Sequence, residues 1–157
     1  SCYNLSMTYS VRPVELTQID LLLDMMQRYY KFDGLPFDRG TALAAASDLV
    51  RTPDLGSLWF IEQDGAVVGY AVLVMTYGLE YGGRVALVDE LFVEEGHRGQ
   101  GLGTATLAFL EKHCASMGVQ VMRLEVERKN QRARAVYQRY GFKEHDRYLM
   151  AKRVSMG

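Results

Sequence analysis

Residues 89–104 constrain this chain more than any other stretch: Asp-Glu-Leu-Phe-Val-Glu-Glu-Gly-His-Arg-Gly-Gln-Gly-Leu-Gly-Thr. A short apolar strand bearing two acids runs into a basic, glycine-rich turn, and the turn opens directly into an apolar-periodic helix. Each glycine removes a side chain that would block close approach, while exposed amides and the positive helix end converge on one point. Such a pocket suits a phosphate. A dinucleotide fingerprint, Gly-x-Gly-x-x-Gly, is not met, because the glycines fall at Gly99, Gly101 and Gly103, one residue short. A nucleotide P-loop would close on Gly-Lys-Ser/Thr, which is absent. The pattern satisfied in full is Arg/Gln-x-x-Gly-x-Gly, from Arg98 to Gly103.

The rest of the chain alternates short strands with helices. Residues 8–12 read as a first strand. Leu16, Ile19, Leu23, Met26 and Tyr30 recur at helical spacing until Asp33-Gly34 and Pro36 break the pattern. An alanine-rich helix fits 38–50. Strands at 58–62 and 66–76 are joined by Asp64-Gly65, a strong hairpin signal. A glycine-rich loop, 78–83, leads into the strand 84–93. The helix after the glycine turn carries Leu107, Leu110, Cys114 and Met117 on one face and stops at Gly118. A strand is expected at 119–127. Asn130 then caps a helix with the stripe Ala133, Val136, Tyr137 and Tyr140, closed by Gly141, and 142–154 reads as a last strand. This order predicts an α/β (mixed α+β) domain, one central sheet flanked by helices, over residues 7–157. Met7 is read as the native start and residues 1–6 as an N-terminal extension or remnant.

Composition narrows the function classes. With 157 residues the chain can bury a core without staples, and its net charge of -1 argues against a nucleic-acid surface. Cys2 and Cys114 have neither metal-ligand nor framework spacing, which suits a reducing cytoplasm. His97 and His145 have no ligand-spaced partners, so no metal is expected. The longest apolar run, near 66–75, is interrupted by Gly69 and too short to span a bilayer, so no membrane partner is expected. The first six residues lack the pattern of a signal peptide.

Two motifs in order make the chain resemble the GCN5-related N-acetyltransferases. The first is Leu91-Phe92-Val93 followed by Arg98-Gly99-Gln100-Gly101-Leu102-Gly103; the second is Asn130-x-x-Ala133-x-x-x-Tyr137-x-x-x-Gly141-Phe142. The resemblance covers about 58–154. It implies a mostly antiparallel sheet splayed between the 89–93 and 119–127 strands, with acetyl-CoA as co-substrate in the gap. The pantetheine arm would pair with the backbone of Leu91 and Val93. The amides of Gly99 to Thr104 would hold the pyrophosphate, Arg98 would add charge, and Asn130 would touch the arm from the other side, with Ala133 and Tyr137 on the same helix. Arg139 or Arg134 would attract the 3′-phosphate.

Acetyl transfer to an amine needs the amine neutral, and at pH 7 deprotonating an alkylammonium costs about 4–5 kcal/mol. A carboxylate near the acyl carbon, acting directly or through water, meets that need. Asp89 and Glu90 are neighbours on a strand, so alternation lets one of them aim at the cleft, with Glu90 preferred and Asp89 in reserve. Glu80 or Asp33 could substitute. Tyr137 is the candidate to protonate the departing thiolate, and a backbone amide near Val93 to polarise the carbonyl. The acceptor, a small-molecule or peptide amine, would lie among Tyr29, Tyr30, Phe32, Asp33, Tyr77, Glu80 and Tyr81, where aromatic rings and acids suit a cation. The alternative is a non-catalytic acyl-CoA-binding or sensory module. An exposed edge strand would permit a homodimer.

Overall fold

A computed structural model describes residues 8–157; the expected start at Met7 and the 1–6 extension lie outside the described residues. The chain divides into two compact units, Ser1–Glu125 and Val126–Gly157.

The first unit holds a five-stranded sheet in the order β1 (Tyr9–Pro13), β2 (Gly56–Gln63), β3 (Ala66–Gly78), β4 (Gly83–Val93) and β5 (Val121–Leu124). The first four strands are antiparallel neighbours, and β5 pairs parallel to β4. Residues Asp64 and Gly65 form the two-residue hairpin between β2 and β3, with φ of 50° and 82°, a turn that a left-handed pair alone can make. Helix α1 (Ile19–Phe32) buries Ile19, Leu22, Leu23, Met25 and Met26, and α2 (Arg39–Arg51) packs beside it. Both cover the sheet face formed by Leu58, Phe60, Tyr70, Val72 and Phe92. Helix α3 (Leu102–Ser116) covers the opposite face, where Leu102 meets Ile61 and Val68, and Phe109 packs on Trp59. The β2 alternation therefore sends even positions to α1 and odd positions to α3.

Two departures from regular pairing shape β4. Val72 pairs with Glu90 and Leu73 with Val88, so Asp89 is an extra, bulged residue. The β4–β5 ladder stops at Val88 and Leu124, while β4 runs on to Val93 paired with β3 alone. The sheet is thus open along one edge of residues 89–93, the splay that the resemblance implies.

In the second unit α4 (Gln131–Tyr140) is capped by Asn130, whose Oδ1 accepts from the Ala133 amide at 3.2 Å, and ends on Gly141 at φ 115°. Phe142 folds back against Tyr137 and Tyr140, ring centroids 6.0 Å away in both cases. Glu144 takes hydrogen bonds from Arg134 and Gln138. The last strand expected at 142–154 is not formed: this stretch has no ladder partner and leaves Tyr148, Leu149, Met150 and Val154 exposed. Alternating sequence makes a strand only where a neighbouring backbone accepts its hydrogen bonds.

Candidate active site

The bulge corrects the expectation that one acid alone faces the cleft. An inserted residue shifts the pleat locally, so the side chains of Asp89 and Glu90 both line one cleft of about 320 Å³, together with Tyr29, Tyr30, Leu35 and Pro36. The end of α1 and the segment after it form its aromatic and apolar side.

Glu90 is the more deeply held acid. Tyr70 donates to its Oε1 at 2.7 Å and Tyr30 to its Oε2 at 3.0 Å. Burial lifts the Glu90 pKa above the ordinary carboxylate value; the two phenol hydrogen bonds oppose that, and the charge of Asp89 adds to it. Asp89 is more open to solvent, yet desolvation also raises its pKa. Both phenols are pushed far above their ordinary value, first by burial and then by the Glu90 charge, so they stay protonated donors.

The glycine turn lies immediately beyond β4. Gly99 and Gly101 have φ of 75° and 82°, a region that favours glycine. Gly101 is the N-cap of α3 and supplies no side-chain cap; the Ala105 amide bonds the Gly101 carbonyl, so the amides before it keep no intrahelical acceptor. A Cβ built on Gly103 meets nothing within 4 Å. Free amides at a helix N-terminus, open space in front of them and an unpaired strand edge leading up to them fit a pyrophosphate with an extended arm. Arg98 is placed differently from the expectation. Its Nε donates to the Val93 carbonyl at 2.7 Å, and its guanidinium lies 5.0 Å from the Phe32 ring and 5.5 Å from the Phe92 ring.

Of the expected acceptor residues, Tyr29 and Tyr30 line the cleft. Phe32 is exposed beneath Arg98, and Asp33 is the C-cap of α1. Tyr77, Glu80 and Tyr81 belong to the β3–β4 hairpin, where Tyr77 pairs with Arg84 at the far end of β4 from Val93; they do not line this cleft. Tyr137, half-buried on α4, has its phenol pKa raised by desolvation. Arg134 is engaged by Glu144, whereas Arg139 is exposed in the last turn. Sequence reading missed Leu35, Pro36 and Tyr70. A tyrosine inside the otherwise aliphatic run of β3 was the available signal for Tyr70, since a buried phenol needs a partner. Among the described residues no group of three or more His, Cys, Asp or Glu is arranged to hold a metal. No helix among them is long and apolar enough to cross a membrane.

The sequence profile of the acetyltransferase (GNAT) family matches residues 20–142. The chain belongs to the GNAT family. An uncharacterized N-acetyltransferase of Methanocaldococcus jannaschii is 27% identical over 146 residues, 92% of this chain and 65% of that protein. The aminoalkylphosphonate N-acetyltransferase of Salmonella typhimurium is 31% identical over 90 residues, 57% of this chain and 58% of that protein. The chain therefore matches between 44% and 65% of the length of its curated GNAT relatives. Among solved structures, an integron cassette protein from the mobile metagenome of Cole Harbour Salt Marsh superposes with a TM-score of 0.82 at 32% identity, covering 94% of this chain and 91% of that one. The aminoglycoside N-acetyltransferase AAC(6′)-Iy in complex with CoA shares the fold, with a TM-score of 0.81 at 16% identity, covering 97% of this chain and 99% of that one.

Proposed function

We propose that this GNAT protein is an acetyl-CoA-dependent N-acetyltransferase acting on a primary amine of a small cationic molecule. The observation that carries the reading is the bulge that turns Asp89 and Glu90 into one aromatic-walled cleft beside the open edge of β4. A cleft of about 320 Å³ is at the small end of ligand sites, which favours a small acceptor over a folded protein surface. Two carboxyls and the rings of Tyr29 and Tyr30 suit an alkylammonium.

In this reading the open edge at Leu91 and Val93 receives the pantetheine arm and the Gly99–Thr104 amides receive the pyrophosphate. Arg98 would have to leave the Val93 carbonyl to meet either. Glu90, or Asp89 through water, takes the proton of the ammonium. The amine lone pair attacks the thioester carbonyl carbon, the C–N bond forms, the C–S bond breaks, and Tyr137 gives its phenolic proton to the leaving sulfur; the second proton that the nitrogen sheds in becoming an amide returns to the Tyr137 phenolate. A carboxyl with a raised pKa is better matched to an amine proton than an ordinary one. The raised pKa of Tyr137 keeps its proton in place until sulfur calls for it.

Calorimetry with acetyl-CoA and with NAD, followed by thiol release over a panel of amines, tests the reading. Acetyl-CoA binding and amine-dependent thiol release are expected. NAD binding without CoA binding would sink the assignment, and CoA binding without release on any amine would support a binding module.

A further inference from the structure

Gln63 is the last residue of β2, two strands away from β4, and is 6% exposed. On the β2 alternation it shares the α3 face with Trp59 and Ile61, where a polar residue has no place unless it is partnered. Both ends of its amide are used on the glycine turn. Its Oε1 lies 2.7 Å from His97 Nδ1, and its Nε2 donates to Gln100 Oε1 at 2.7 Å. His97 closes the short 3₁₀ turn after β4, and Gln100 sits between the two left-handed glycines. The anchor is itself held: the hairpin after Gln63 is tied to Thr8, the residue before β1, by the Asp64 amide on the Thr8 carbonyl at 2.8 Å and by the Thr8 amide on Asp64 Oδ1 at 2.9 Å.

We propose that Gln63 is a positioning residue for the pyrophosphate turn, holding His97 and Gln100 at a fixed spacing from behind so that the Gly99–Thr104 amides are already arranged when acetyl-CoA arrives. This rests on the reading of the turn as the acetyl-CoA site. Glycines at positive φ give the turn backbone freedom, and ordering that freedom at the moment of binding would weaken affinity. A buried amide that links two points of the turn to a strand removes the freedom beforehand. Gln63 is 6% exposed with both the oxygen and the nitrogen of its amide engaged on the turn, so its effect reaches the phosphates through the turn.

The test compares two donors on the full chain: acetyl-CoA, and S-acetylpantetheine, which lacks the pyrophosphate. Gln63→Leu should weaken acetyl-CoA binding about tenfold, the scale of one or two lost neutral hydrogen bonds. It should leave S-acetylpantetheine within about twofold of wild type, because that donor never meets the turn. Gln100→Ala, a surface change that cuts one link and leaves Gln63 on His97, should give a smaller loss with the same donor selectivity. Equal losses for both donors would overturn the proposal in favour of a purely structural role, as would unchanged acetyl-CoA affinity in both variants. Failure of the wild-type chain to bind acetyl-CoA would instead overturn the assignment of the turn.

Discussion

Tyr70 donates to Glu90 at 2.7 Å from a side chain that is itself fully buried, so the acid at the cleft wall is held from the core side. Tyr30 holds the other oxygen from the cleft side at 3.0 Å. Two phenols that cannot readily ionise fix one carboxylate geometry, and burial sets its proton affinity above that of a surface glutamate. Asp89 beside it on the bulge adds a like charge, a smaller effect on Glu90 than burial or the two phenols.

Removing the Glu90 carboxylate should therefore remove the base. Glu90→Gln is expected to lower kcat by about 10²–10⁴, the range for a positioned general base, and Asp89→Asn by less. The fold should not suffer. A carboxyl with a raised folded-state pKa contributes stability below its unfolded value and loses it as pH rises through the folded value, so at neutral pH its charge opposes folding. Thermal melting at pH 7 should show Glu90→Gln as stable as wild type or more so. A variant that loses activity and melts several degrees lower would assign Glu90 to structure instead.

The phenols act on the acidic limb of the rate profile. Their hydrogen bonds favour ionised Glu90, so Tyr70→Phe leaves the opposing burial effect less balanced and raises its pKa further. The acidic limb of kcat/KM should move upward by about one pH unit, the equivalent of ~1.4 kcal/mol. Tyr30→Phe should shift it in the same direction. A limb that stays put in both variants would place the titrating base elsewhere.

What the sequence disclosed was mostly local. Asp64-Gly65 specified the β2–β3 turn because the backbone there needs two left-handed residues, and the strands pair from Gln63 and Ala66 outward. The Gly101 cap and the first turn of α3 were likewise written in adjacent residues. The bulge at Asp89 was not, because it arises from pairing with Val72 and Leu73 on another strand. Strict alternation consequently sent Asp89 and Glu90 to opposite faces. The Tyr70–Glu90 and Gln63–Gln100 contacts span 20 and 37 residues and follow from the same long-range register. The failed strand at 142–154 has the complementary cause: its pattern is local, but a strand is completed by a partner.

Tyr137 offers a prediction of a different kind from the acids. Desolvation raises its pKa above the ordinary phenol value, so it is protonated throughout the neutral range. Tyr137→Phe keeps the ring that packs on Phe142 and removes only the proton. Turnover should fall by at least about tenfold, as for loss of a general acid, while acetyl-CoA affinity and the acidic limb stay at their wild-type values. Loss of affinity without loss of turnover would refute the role.

Gly103 separates ligand space from folding space. A Cβ there meets nothing within 4 Å apart from its chain neighbours and its own helix backbone, and the residue sits in the first turn of α3, where valine is at least as good a helix former as glycine. Gly103→Val should therefore melt at or above the wild-type temperature. The same isopropyl group would stand where the phosphates approach the helix N-terminus, and acetyl-CoA affinity should fall by more than about tenfold, a loss above ~1.4 kcal/mol. S-acetylpantetheine, without phosphates, should be spared. Normal acetyl-CoA affinity in a fully folded Gly103→Val protein would mean that the open space in front of α3 is not where the pyrophosphate binds.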